Sequence, residues 1–285
     1  MMPDRRVDTP NEPPVISPRE LGRIGDFLYR WTGMVFRESK RYFIERRIVE
    51  RLARCGIATV DAYLGYAAAN PAEREILINA FTVNETYFYR EQHQFAALSR
   101  HILPAIVASR RPGDLVRIWS MPCSTGEEAY SIAIWLLENW PLVDAYNIEI
   151  VASDIDSVAL RAAEAGWFGA KSLARLSQGI LDDYFSEEHN HSRQIIADLR
   201  QSVQFRPANI IDPASVAALG KFDVIFCRNL LIYFDDRSRA GAVDNLFASL
   251  NSGGWVCLGH SESMNRITDR FVQVRCDDAI VYRKP

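Results

Sequence analysis

Two stretches carry residue types that ordinary packing does not require. In "FTVNETYFYRE", Phe81 to Glu91, four aromatics stand among Asn84, Glu85, Thr86, Arg90 and Glu91. The mixture is too polar for a core strand and too aromatic for a solvated helix. It suits a segment that packs on one side and reaches a polar ligand with the other. The second stretch, "WSMPCSTGEEAYSIA", leads from a strand into a helix and holds one glycine, Gly126. A dinucleotide fingerprint needs G-x-G-x-x-G and a P-loop needs G-K-[ST], where glycines let the backbone close on phosphates. Neither is present, so the loop suits a nucleoside ligand without a pyrophosphate, and S-adenosylmethionine is such a ligand. Asp154 of "VASDID", 28 residues beyond Gly126, is placed as a ribose-hydroxyl acceptor would be. "RPANIID" offers Asn209 to an adenine edge and Ile210 to its face, and "FCRNLLIYF" brings Arg228, Asn229 and Tyr233. A glycine at a strand–helix turn and an aspartate capping the next helix also have structural uses; their order in the chain favours the ligand.

The elements that must position these residues alternate. "DLVRIWSM", "NIEIVASD", "VQFRPAN", "KFDVIFCRN" and "GGWVCLGH" are short β-rich runs, separated by helical segments such as Glu127–Trp140 and Ser157–Ala165. Such alternation predicts a parallel, doubly wound α/β sheet, whose ligands bind beyond the carboxyl ends of the strands. A final "AIVYRK" is expected as an antiparallel edge strand. Upstream, "SPREL" reads as a capping box with Pro18 at the first helical position, and short helices follow to about residue 110. Residues 1–16 are Pro-rich and polar, which predicts a disordered arm. The expected division is a helical domain over 17–95 and a sheet domain over 96–285.

Composition excludes several classes. The net charge of −3 and pI near 6.0 argue against a general nucleic-acid binder. Five scattered cysteines without a C-x-x-C suggest neither a disulfide framework nor a zinc site, and a reducing cytoplasm fits. No apolar leader and no 18-residue apolar run occur, so membrane insertion is not expected. Asn229 occupies the slot where amino-methylating enzymes carry an Asn-Pro-Pro-Tyr type motif, but no proline follows it, which weakens an amine or base substrate.

With "TVNETYFYRE", "WSMPCSTGEEAYSIA", "ASDID", "FDVIFCRNLLIYFD" and "GGWVCLGHSES" in this order, the chain resembles the bacterial chemotaxis receptor methyltransferases, the CheR family, from about Ile24 to Lys284. The resemblance implies a Rossmann-like class I methyltransferase sheet with an N-terminal all-helical domain and a small inserted antiparallel β-subdomain, containing Ser186 to Ser202. It implies methyl transfer from S-adenosylmethionine, leaving S-adenosylhomocysteine, to glutamate carboxylates on the cytoplasmic helices of chemoreceptors. Asn84, Thr86 and Arg90 would meet the methionine part. Glu128, Asp154, Asn209, Ile210, Arg228 and Asn229 would make the other cofactor contacts, and Arg90 and Tyr233 would lie nearest the reacting methyl. Glu127 could instead serve the helix N-terminus, where negative charge is favoured. Two rival functions are an N-methyltransferase acting on nucleic acid or an amine, favoured by a basic helix and Asn229, and a cofactor-binding regulator without turnover.

That basic helix is "KRYFIERRIVERLAR". At 100° per residue Lys40, Arg47, Arg51 and Arg54 share an arc of about 60°. They form a candidate docking face for acidic receptor helices, with a solvated face paired to Glu45 and Glu50 as the plainer reading. The 17 residues from Ser186 to Ser202 contain no glycine. Family members that tether to a receptor's C-terminal pentapeptide have a longer, Gly-containing loop there, so this enzyme is expected not to need the tether. His189 and His191 have no evident third partner, and no metal is expected.

Overall fold

The computed structural model describes residues 16–36 and 41–285; Lys40 and nearly all of the proposed arm lie outside them. Two compact units form. One comprises residues 16–31 and 35–81, the other Thr32–Met34 and Thr82–Pro285. The division at Phe81/Thr82 falls ahead of the expected boundary at residue 95, so "NETYFYRE" belongs to the unit with the sheet.

The first unit contains four helices among its described residues, Pro18–Thr32 (which runs one residue past the division), Arg41–Cys55, Val60–Ala69 and Pro71–Phe81. The capping box forms as read: Ser17 N donates to Glu20 Oε2 at 2.9 Å and Glu20 N to Ser17 Oγ at 3.3 Å. Ile24, Leu28, Ile44, Ile48, Tyr63, Leu77 and Phe81 make the core.

In the second unit the strands are β1 (Leu115–Ser120), β2 (Asn147–Asp154), β3 (Trp167–Gly169), β4 (Ser192–Gln194), β5 (Val203–Pro207), β6 (Phe222–Cys227), β7 (Leu250–Leu258), β8 (Val272–Cys276) and β9 (Ala279–Arg283). Seven of them form one sheet in the order β5-β2-β1-β6-β7-β9-β8. The first five in that order pair in parallel, and β9 and β8 are antiparallel. All six residues of β6 are buried, which is why "FDVIFC" reads as an unbroken run: both faces of a central parallel strand are covered. The chain leaves β1 toward β2 on one side and comes back to β6 on the other, so a crevice opens between their carboxyl ends.

Two expectations change. "AIVYRK" is antiparallel, as expected, but β9 lies between β7 and β8 and is not the edge. The edge is β8, formed from the residues just before β9, and Asp277, with φ of 52°, turns the hairpin. The small antiparallel subdomain is present as β3 paired with β4, extended by a Phe185–Ile195 bridge. It draws in Trp167–Gly169 from upstream, and the end of the 186–202 segment is instead the helix Ala197–Ser202.

Candidate active site

Cofactor-type chemistry converges at the carboxyl ends of β1, β2, β5 and β6. A cavity of about 580 Å³, open mouth included, is lined by Ser124 and Pro122 after β1, Asp154 and Ile155 at β2, Asn209 and Ile210 after β5, and Asn229 and Tyr233 after β6. A second cavity of about 480 Å³ shares Val83, Pro122, Ser124 and Asn229 with it and adds Thr86, Tyr87, Arg90, Glu128 and Arg228. The two form one cleft with two chemically different ends.

Asp154 defines the first end. It is 4% exposed and accepts backbone N–H groups of Ser124 at 2.8 Å and Asp156 at 2.9 Å. Burial pushes its carboxyl up to about 6, against the pull of those N–H groups. Gly126 lets the loop close: its φ is 96°, and a Cβ there would stand 2.9 Å from that of Ala163 and 3.2 Å from the Tyr130 ring. Ile210 is buried, and its carbonyl accepts from Asn245 Nδ2 at 2.7 Å.

At the other end Arg228, with its side chain 2% exposed, lies between two carboxylates, 2.8 Å from Glu128 and 3.2 Å from Glu91. Glu128 also accepts from Ser120 Oγ at 2.7 Å, and burial holds its pKa above the usual carboxylate range despite Arg228. For Glu91 the balance reverses: burial is outweighed by Arg228 and His260, and its pKa is lowered. Glu127 turns away, accepting from Thr125 at 2.6 Å and Ser172 at 2.7 Å. A buried cation beside a partly exposed carboxylate matches the carboxylate and ammonium of an amino acid. Asp154 matches a ribose. The residues therefore fit S-adenosylmethionine, one end for each half of the molecule.

The "NETYFYRE" segment divides as its composition suggested. Phe88 is buried against Phe168 and Phe185 at centroid distances of 4.8 and 5.3 Å, and Tyr89 packs on Trp135 at 5.4 Å. Thr86 and Arg90 line the Glu128 end of the cleft. Asn84 does not join them. Its amide donates to Asp156 at 2.8 Å and accepts from Ser124 Oγ at 3.1 Å, beside Asp154. Four non-glycine residues around the cleft, Tyr89, Glu91, Ser124 and Asn229, have φ between 48° and 59°; such backbone costs of order 1–3 kcal/mol each and is concentrated at functional sites.

Over residues 19–82 the chain matches the CheR methyltransferase all-alpha domain, and over residues 84–280 the CheR methyltransferase SAM binding domain. The chain belongs to the CheR methyltransferase family. It is 47% identical to chemotaxis protein methyltransferase 2 of Vibrio cholerae, over 95% of this chain and 94% of that one. A chemotaxis protein methyltransferase of Klebsiella aerogenes is 36% identical over 90% and 87%, and chemotaxis protein methyltransferase 1 of Pseudomonas aeruginosa 33% identical over 93% and 96%. The chain is thus an S-adenosylmethionine-dependent methyltransferase of chemotaxis with the class I fold.

Several residues that build this CheR site have no cofactor role in the sequence reading, which takes His260 of "LGHSES" only as a structural hydrogen-bonder. Glu91 and His260 form a 2.8 Å contact behind Arg228, Asp156 holds both Thr82 and Asn84, and Glu262 grips the turn after β6. Glu91, His260 and Glu262 all lie inside quoted motifs, so the signal was present; what was lacking was the fold that brings positions 91, 228 and 260 together.

The expected docking face narrows. Arg51 forms a two-point pair with Glu73, at 2.9 and 2.6 Å, and Tyr63 donates to the same carboxylate at 2.7 Å. Arg47 donates to the Ala80 carbonyl and lies 3.4 Å above the Phe43 ring. Both are engaged within the helical unit. Arg54 is exposed, paired to Glu50 at 2.8 Å, and Arg46 is exposed beside Tyr42 on the same helix. Among the described residues no group of three metal-ligating side chains occurs, and no helix is long and apolar enough to cross a membrane.

Proposed function

We propose that this enzyme methylates glutamate side-chain carboxylates on the cytoplasmic helices of chemoreceptors, producing γ-carboxyl methyl esters. The observation that carries the reading is a cation, Arg90, lining one end of a cleft whose other end is lined by the phenol of Tyr233. Arg90 lines the Glu128 end, and its charge draws down the Tyr233 pKa, which burial raises overall. A guanidinium matches both oxygens of a carboxylate and repels a protonated amine.

S-adenosylmethionine supplies an electrophilic methyl group carried on a sulfonium. A glutamate acceptor, with an ordinary pKa of about 4.3, arrives ionised at neutral pH, so no residue need take a proton from it. The chain's contribution is alignment. Asp154, Asn209 and Ile210 hold the nucleoside end, Glu128 and Arg228 the amino-acid end, while Arg90 orients the incoming carboxylate and Tyr233 places its oxygen. Alignment of this kind supplies roughly 7–11 kcal/mol at its best. Acidic receptor helices would dock on Arg54 and Arg46, and the glycine-free segment Ser186 to Ser202 supports docking without a receptor pentapeptide. Such a substrate places the enzyme in the cytoplasm.

The test uses S-adenosylmethionine labelled on its methyl group and a chemoreceptor cytoplasmic fragment, followed by mild base. Esters release volatile labelled methanol, and the release disappears when the receptor glutamates are changed to Gln or Asp. Label that survives base would instead indicate N-methylation.

A further inference from the structure

Glu262, in the loop after β7, has no part in the assignments above. Its carboxylate gathers the backbone of the turn that follows β6. Oε2 accepts from Asn229 N at 2.8 Å and from Gly259 N at 2.9 Å, and Oε1 accepts from Leu231 N at 2.7 Å. Asn229 is held at φ of 59°, a conformation that persists in a non-glycine residue when its surroundings determine it. The approach is close enough to require glycine at 259, where a Cβ would stand 2.9 Å from Glu262 Oε2 and 2.8 Å from Asn229 Nδ2. The turn delivers two side chains to the cleft, Asn229 directly and Tyr233 through the 3-10 turn Leu231–Tyr233.

We infer that Glu262 is a positioning residue for methyl transfer, with a separate task for each oxygen. Oε2 fixes Asn229 and so serves cofactor binding. Oε1 fixes Leu231 and so sets where the Tyr233 hydroxyl lies. A carboxylate is required because each of these three partners is an N–H donor, and an amide would turn a donor toward one of them. The inference rests on Tyr233 lying beside the transferred methyl, and the experiment separates the two ideas.

Glu262→Gln keeps one oxygen, which remains where two donors converge, and sets its NH2 group against Leu231. S-adenosylhomocysteine affinity, measured by calorimetry, is expected within twofold of wild type, while kcat for receptor methylation falls about tenfold. Tyr233→Phe is expected to lower kcat similarly, and the double variant to be no more than twofold slower than the slower single one. Tyr233→Phe at the wild-type rate sinks the Tyr233 assignment. Tyr233→Phe slow with Glu262→Gln at the wild-type rate, or losses that multiply in the double variant, overturns the Glu262 inference alone. Should Glu262→Gln not fold, Gly259→Ala, which crowds Oε2 and Asn229, is expected to weaken S-adenosylhomocysteine binding at least fivefold, and unchanged affinity overturns the inference. If the wild-type enzyme transfers no methyl to the receptor fragment, the receptor reading fails, and hydrogen exchange over Asn229–Phe234 decides the inference by itself. At least tenfold faster exchange there in the variant, with β2 unchanged, supports it; unchanged exchange overturns it.

Discussion

As the proposed ribose acceptor, Asp154 would set the pH range of cofactor binding. Burial raises its pKa to about 6 in the free protein, and a ribose hydroxyl donating to it favours the ionised form, so binding lowers that pKa. Affinity is therefore complete above about pH 6 and declines by up to tenfold per pH unit below, until the pKa of the bound state is reached. Calorimetry with S-adenosylhomocysteine between pH 5 and 7.5 is expected to show this slope in the wild type and a flatter one in Asp154→Asn. Arg90 makes a different prediction, because it is assigned to the acceptor. Arg90→Lys keeps the charge but loses the planar fork, which at a charged hydrogen bond is worth about 1.5–3 kcal/mol, so kcat/KM for the receptor is expected to fall by roughly 10–100-fold. Calorimetric affinity for S-adenosylhomocysteine stays within threefold; an equal loss there would make Arg90 a cofactor ligand only.

At the scale of elements, the loop from β1 into the helix Glu127–Asn139 depends on one backbone conformation. Gly126→Ala adds a Cβ at φ of 96°, within 2.9 Å of Ala163, combining left-handed strain with overpacking. The expected cost is about 2–4 kcal/mol in chemical denaturation, with weakened cofactor binding because Ser124 and Asp154 meet across this loop. That loop was legible from sequence because glycine content alone separates it from phosphate-binding loops. The parallel strands were legible too, since burial on both faces writes continuous apolar runs such as "FDVIFC". β8 was not: "VQVRC" is an edge strand with only Cys276 buried, and little in its pattern separates it from a loop. The three-residue strands β3 and β4 are likewise too short for periodicity, and only their pairing across more than twenty residues defines them. The same reason hid Glu262, whose role exists only once β6 and β7 lie side by side.

For the whole molecule, the arginines of the helix Arg41–Cys55 separate stability from recognition. Arg51, Glu73 and Tyr63 form a largely buried network in which the Arg51 and Glu73 side chains are 12% and 6% exposed. Removing one partner strands the other charge away from water, at a cost of about 3–5 kcal/mol. Helical periodicity placed Arg51 on a docking arc because it registers direction around the helix and not what packs there, and Glu73 lies on another helix altogether. Arg51→Ala is therefore expected to unfold the helical unit at distinctly lower denaturant, whatever its effect on receptors. Arg46 and Arg54 are exposed, and single surface pairs such as Arg54 with Glu50 contribute about 1 kcal/mol or less. Changing both to Glu should leave the denaturation midpoint nearly unmoved, while reversing the attraction for an acidic receptor helix. At low ionic strength the KM for the receptor fragment is expected to rise at least fivefold with kcat preserved. The difference from wild type should shrink as salt shortens the Debye length from about 10 Å at 0.1 M to 3 Å at 1 M. A KM unaffected at low salt would move receptor docking off this helix.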